Sequence, residues 1–453
     1  MTKAHMNRST RILVTSALLL LAANVPPVSA QGQAGGTAAS AGSPATQTTM
    51  QRYAYHDSLA AAARKARDWM RYRDEVVILD AILNGHPNVR VINARIHAHL
   101  GDTATAYASL RNFAAMGLIR PLEADTDLVS LRGTPAWDAV LARIKANANP
   151  IGTTHAAFTL PDSEFVAEDI AYDALGRKFF VTSVRRSTIV TVTHDGVIST
   201  FARGIAPGWG MLAVAVDRPR NTLWASAEAV PLAASYDSTQ QGRSTLLRYD
   251  LTTGSLLQRY DLPNDGPHQA GDMTVDPNGD VIVADGKSGA VYVVPQGKQL
   301  ELLVPPGELR SPQGPAVAEG GKYFYVADYA RGIARIERSS GHVEWLTHSH
   351  DIALNGIDGL TMAGPRTLIG VQNGTNPNRL LKISLGENGT SVVSATVVAQ
   401  NAESITEPTH GTFVGSDYYF IANGGYGTFD DNGQIRKGER ALPPVVMRLD
   451  KLR

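Results

Sequence analysis

Six times between Glu168 and Asp450 the chain repeats a strand-like run, a turn of Gly, Asp or Asn, and a second strand-like run. The clearest copy is GDMTVDPNGDVIVAD, Gly271 to Asp285. EDIAYDALGRKFFVTS from Glu168, AVAVDRPRNTLWAS from Ala213 and QGPAVAEGGKYFYVAD from Gln313 follow the same plan, and looser copies start at Asp358 and His410. A period of roughly 40 to 50 residues with several strands per unit marks radial repetition. One unit cannot bury both faces of its sheet, so such units stack as blades around a channel. The sequence therefore predicts a mainly β chain built on a six-bladed β-propeller.

Third and fourth strands can be traced as well, for example Ala290–Val294 and Gln299–Val304, or Gly332–Glu337 and His342–Thr347. The sixth copy runs out early, because only Lys451, Leu452 and Arg453 follow the run Val445–Asp450. An open ring would leave two unpaired sheet edges. The apolar segment Ala156–Leu160, just ahead of the first blade, is expected to supply the missing outer strand.

Ahead of the propeller (155–453) the chain changes character twice. Residues 1–30 carry Lys3, Arg8 and Arg11, an apolar run from Ile12 to Ala23, and a small-residue ending Val28-Ser29-Ala30. That is the pattern of a secretory signal peptide, too short to span a membrane, and it predicts a periplasmic or secreted protein with no membrane span after cleavage. Residues 31–50 are mostly Gly, Ala, Ser, Thr, Gln and Pro, a flexible linker. From 51 to 149 the apolar spacing turns helical: Leu59, Ala63, Ala66 and Met70 recur at three and four residues. NGHPNVRVINARIHAHLGDTATAYASLRNFAAMGL reads as two helices around Gly101-Asp102, which resembles a tetratricopeptide repeat. A solenoid normally needs three or more such units, so a cap on the propeller is the first expectation and a protein-binding surface the second.

There is no cysteine, which excludes thiolate zinc sites and cysteine nucleophiles. Charge sums to zero from 42 basic and 42 acidic residues. No basic patch suggests nucleic acid, and no G-x-S-x-G elbow suggests a serine hydrolase.

Aligned on their first strands, the blades place Glu168, Leu212, Gly271, Gln313, Asp358 and His410 in one register, and Asp169, Ala213, Asp272, Gly314, Gly359 and Gly411 in the next. Both converge on one mouth of the channel, where the second strands also end, at Thr182, Ser226, Asp285, Asp328, Gln372 and Asn423. Carboxylates facing one another across a channel repel unless they are protonated or neutralised. A bound divalent cation answers that, with Glu168, Asp272, Gln313 and Asp358 as candidate ligands. Oxygen donors favour Ca2+, with Mg2+, Mn2+ or Zn2+ as alternatives. Asp285 and Asp328 each open a turn, which explains them without a metal. His268 and His410 are candidate general bases, and Asp358 a candidate catalytic carboxylate.

The blades from Glu168 to Arg453, about two-thirds of the chain, resemble the senescence-marker-protein/gluconolactonase superfamily, with paraoxonase-like six-bladed lactonases more distant. The Glu168 opening is similar to that family's EGPxW element, GDMTVDPNGDVIVAD to its DGMxxDxxGxLWVA element, and Asp358-Gly359-Leu360 to the core of the latter. The resemblance implies a calcium-like cation in the channel and hydrolysis of lactones or related esters, with Glu168 and either Asp272 or Asp358 as ligands. The chain departs from the pattern in standing Leu212 and Gln313 where the family has asparagine ligands, and in inverting Asp-Gly to Gly271-Asp272. The excursions Ala227–Arg243 and Gly424–Pro444 are expected to wall the pocket, their aromatics suiting an organic or carbohydrate ligand. A different class remains beside the hydrolase: a non-catalytic periplasmic binding or scaffold propeller that recognises a protein or carbohydrate partner.

Overall fold

The computed structural model describes residues 47–205 and 208–453; the segment read as a signal peptide, and the linker up to residue 46, lie outside the described residues. Six four-stranded antiparallel sheets form the blades of a propeller, preceded by five α-helices. Each sheet runs from an inner strand at the axis to an outer strand at the rim, in chain order for the first five blades. The inner strands are Ala167–Asp173, Trp209–Asp217, Ala270–Val275, Pro312–Val317, Ile357–Gly364 and Gly411–Val414. Second and third strands such as Val281–Asp285 and Ala290–Val294 are buried along their whole length. That is why they read as unbroken apolar runs rather than alternating ones. Outer strands such as Leu256–Asp261 are largely exposed.

Six apolar clusters fill the six gaps between blades. The gap between the last blade and the first is closed as the sequence implies. His155–Thr159 pairs antiparallel with Val445–Leu449, joining Ala156 to Met447 and Thr159 to Val445. It forms the outer strand of the sixth sheet. Leu160 and Phe165 then enter the cluster of Phe179, Val181, Ile421 and Val446 that seals the ring.

The helices are α1 (Thr49–Ala66), α2 (Trp69–Ile82), α3 (Pro87–His99), α4 (Thr103–Ala115) and α5 (Pro135–Ala146). The apolar spacing from Leu59 to Met70 does not belong to one helix. Arg67 takes a left-handed conformation, and the Asp68 carboxylate accepts from Arg71 N to start α2, leaving Met70 exposed. Among the described residues no helix is long and apolar enough to cross a membrane.

The helical segment docks on the loops of blades four and five. Ala330 joins the core of α1–α3, and Ala353 joins that of α3–α5. Two buried arginines make the polar part of the contact. Arg331 donates through Nε to Ile82 O, at the end of α2 (2.7 Å), while its guanidinium lies 3.9 Å from the centroid of the Trp345 ring. Arg379 donates through Nη1 to Met116 O, just past α4 (2.7 Å), and through Nε to Gln372 Oε1 (2.6 Å). Helix C-termini present unsatisfied carbonyls and partial negative charge, so neither arginine needs a carboxylate. Burial lowers both guanidinium pKa values to about 10. Arg379→Met is expected to cost about 2–4 kcal/mol, because Met116 O and Gln372 Oε1 are left buried without their donor. Chemical denaturation measures this, and unchanged stability would show that the helix end is satisfied by other means.

Candidate functional site

Five of the six inner strands carry a β-bulge at the same height, between Ala167 and Ile170, Met211 and Val214, Ala270 and Asp272, Pro312 and Pro315, and Ile357 and Leu360. A bulge adds one residue against the partner strand and re-aims the side chains around it. Glu168, Leu212, Gly271, Gln313 and Asp358, the first bulged residues, all line a cavity of about 650 Å³ at the mouth of the channel.

The second bulged position faces the neighbouring blade. Asp169 accepts from Ile170 N (2.7 Å) and, across the gap, from Val214 N of blade two (2.8 Å). A Cβ on Gly314 would lie 2.5 Å from Leu360 N, and one on Gly359 would lie 2.9 Å from Thr409 O. The Gln-Gly and Asp-Gly pairs are thus one polar residue for the cavity followed by one that the next blade's backbone leaves no room for.

Asp358 at the cavity floor and the buried Asp272 and His410 beneath it bring one donor atom each within 4.8 Å of one another. His410 presses Nε2 on the Asp272 carboxylate, and its Nδ1 lies 3.3 Å from Glu168 O. Asp272 Oδ1 and His410 Nε2 form an ion pair with one another, and neither atom makes a hydrogen bond to any other group. Asp358 Oδ2 accepts from Asn373 Nδ2 (2.6 Å), and Glu168 Oε2 accepts from the Tyr426 hydroxyl (2.5 Å).

Glu168, Asp169, Asp272 and Asp358 therefore share a single imidazole. Burial, then the nearby Asp358 charge, raises the Glu168 pKa to about 8. Burial raises Asp358 to about 7, with Asp272 adding to the shift and His410 opposing it. Burial likewise lifts Asp169 to about 6. Burial alone would depress His410, but Asp272, Asp169 and Asp358 outweigh it and hold the imidazole well above its ordinary value. Such a cluster must take up protons or a cation.

Of the residues singled out from sequence, Asp272, Asp358 and His410 come together and Glu168 stands beside them. Gln313 lines the cavity and donates to Ser311 Oγ (3.1 Å), outside the three-residue group. His268 belongs to neither. Its ring nitrogens lie 2.6 Å from Asp285 and 2.7 Å from Asp265, and it does not line the cavity. Asp285 accepts from Gln269, Lys287 and Ser288 N–H groups, and Asp328 from those of Arg310, Ser311, Ala330 and Arg331. Both fasten turns.

Sequence reasoning missed Asn373, Tyr329 and Glu407 as parts of the site. Asn373 lies one residue past the aligned end of its strand, where the register pointed at Gln372. The Tyr329 hydroxyl donates to Asn373 Oδ1 (2.9 Å). Glu407 accepts from Gly425 N (2.9 Å) and Gly427 N (2.8 Å), fixing the loop that delivers Tyr426.

In the presence of chelator, stability should fall as pH rises from about 4.5 to about 8. Across that window the folded protein keeps a proton on Glu168 that the unfolded chain has released, and above it the loss is complete. A cation displaces that proton, so the melting-temperature gain on adding one should grow with pH through the same window. Scanning calorimetry at several pH values checks both slopes. A gain independent of pH would place the ion away from Glu168.

No protein-family model matches the chain, and no curated protein matches it. Solved structures do. Virginiamycin B lyase from Staphylococcus aureus aligns over 60% of this chain and 83% of its own, at 16% identity and a TM-score of 0.45. Regucalcin, a calcium-binding protein from Agrobacterium tumefaciens, aligns over 66% and 96% at 15% identity and 0.45. A gluconolactonase from Xanthomonas campestris aligns over 66% and 94% at 13% identity and 0.43. At these identities and scores the likeness describes the propeller and nothing of its chemistry.

Proposed function

We propose that the channel mouth is a divalent-cation site at which a lactone or related ester is hydrolysed, in a periplasmic or secreted protein. The observation that carries this is the Asp272–Asp358–His410 group, buried with Glu168 and open to a cavity through Asp358 and Glu168. The residues fit a cation. Asp272 Oδ1 and His410 Nε2 have only one another as partners, and the surrounding carboxylates exceed the one imidazole. Asp272, Asp358 and His410 would hold the ion. The carboxylates suit Ca2+ or Mg2+, and the imidazole adds a donor that suits Mn2+ or Zn2+. A bound cation supplies Lewis-acid polarisation of the ester carbonyl and stabilises the oxyanion that forms.

The chain's own residues do the rest. Glu168, oriented by Tyr426, is the group placed to take a proton from water at the cavity floor once a cation has displaced the proton it otherwise keeps up to about pH 8. His410 serves to hold, since the acids around it keep it protonated when no cation is bound. Asn373 fixes the Asp358 carboxylate.

Metal analysis of protein purified without chelator, joined to a screen of lactones and aryl esters, tests the reading. About one cation per chain is expected, with hydrolysis lost on chelation and restored on readdition. Protein that holds no cation and ignores chelator would overturn it.

A further inference from the structure

The cavity above the acidic floor is unequal around its circumference. On blades one and two its wall is mainly apolar, formed by Val184, Leu212, Val230 and Leu232 with the one amide of Gln241, and the sixth-blade loop adds Asp430, Asp431 and Arg436. Phe429, from the long sixth-blade loop, packs into the same cluster and is fixed by the Arg185 guanidinium, 4.6 Å from its ring centroid. On blades three and four the wall is amide and cationic. Gln269, Lys287, Arg310 and Gln313 line it, and no carboxylate from those blades does.

The cationic wall is built rather than incidental. Lys287 Nζ meets Glu228 Oε1, and that carboxylate is fully buried, its second oxygen accepting from Gln269 Nε2 (2.8 Å). A buried carboxylate whose partner reaches into a cavity holds the ammonium in place. Arg310 is exposed and makes no ion pair among the described residues, and its backbone N–H is pinned to Asp328 Oδ2 (2.6 Å). A polyhydroxylated neutral ligand would leave the apolar wall without apolar contact and Arg310 without a counter-charge.

We propose that the substrate is an anionic amphiphile: a lactone or ester with an aliphatic or aromatic part against Val184, Leu212, Leu232 and Phe429, and a carboxylate at Lys287 and Arg310. This rests on the hydrolase reading and specifies its substrate class. The two walls orient the molecule, since the anion is drawn to blades three and four and kept from Glu168 and Asp358, which leaves the ester carbonyl at the floor.

The test is calorimetric binding of octanoate, octanamide and acetate to the full chain in chelator, so that no ion at the floor attracts the carboxylate. Octanoate should bind about tenfold more tightly than either of the others, the scale of one charge-assisted hydrogen bond. Arg310→Gln should bring octanoate down to the octanamide level and leave octanamide unchanged. Leu232→Ser should weaken both eight-carbon probes alike. Lys287→Gln leaves Glu228 buried without its cation and can unfold the wall, so the exposed Arg310 carries the test. Equal binding of octanoate and octanamide, or an octanoate preference that survives Arg310→Gln, overturns the substrate class. Because binding is read without turnover, a kept preference with no hydrolysis of any carboxylate-bearing ester overturns the hydrolase reading alone.

Discussion

Replacing Asp358 by Asn is expected to lower hydrolysis about a thousandfold or more, the scale of losing a metal ligand and the charge beside a developing oxyanion. Asp358 is the member of the buried group that reaches the cavity. The amide keeps its shape and can still accept from Asn373 Nδ2, so the inner strand is undisturbed. What it loses is the charge that helps to hold a cation. In chelator above about pH 7, where Asp358 would otherwise ionise while buried, the variant should melt no lower than wild type. The Asp358 charge also helps to raise Glu168, so residual activity should show its pH limb moved to lower pH. Turnover like the wild type would locate the chemistry elsewhere.

A chain that starts at Pro161 is expected to lose cooperative unfolding, whereas one that starts at Pro150 should keep it at reduced stability. The difference is the strand His155–Thr159 with Leu160. Without it the sixth sheet ends at Val445–Leu449, whose outer edge is unpaired and open to association. The seal between blades six and one also loses Leu160, whose burial alone is worth ~2–3 kcal/mol. The chain from Pro150 keeps the ring but strips the helix ends from Arg331 and Arg379, so it pays in stability without opening. Denaturation curves and light scattering separate the cases, and equal curves would falsify closure through this strand.

Blade number and ring closure could be read from the sequence because turns such as Asp276-Pro277-Asn278-Gly279 punctuate strands that are buried on both faces. The cavity-lining register was legible for the same reason, since the count from turn to inner strand is nearly constant. Asp272 is already paired across its sheet, because the blade-three bulge holds the single residue Gly271 where its neighbours hold two. Periodicity cannot report that. Nor could it show the break at Arg67, where a cap rather than an apolar gap divides two helices. Nothing in the sequence marks Arg331 and Arg379, because their partners are carbonyls at helix ends more than two hundred residues away. Tyr426 and Phe429 were legible as aromatics of an excursion walling the pocket, but their contacts with Glu168 and Arg185 follow no period. The charge on His410 is set by Asp272, Asp169 and Asp358 from other blades, which no count along one blade reports.

The repeated bulge has a consequence for how such a ring can change its chemistry. Each bulged blade holds two consecutive residues near the axis, one turned to the cavity and one turned either to the next blade, as Asp169, Gly314 and Gly359 are, or beneath the floor to His410, as Asp272 is. Exchanging those neighbours, as Gly271-Asp272 stands to Asp358-Gly359, moves a carboxylate between the floor of the cavity and the space beneath it while every strand stays where it is. The ring is therefore a scaffold whose inner surface can be rewritten by swaps of adjacent residues, with the steric demand for a small partner as the main rule that each swap must obey.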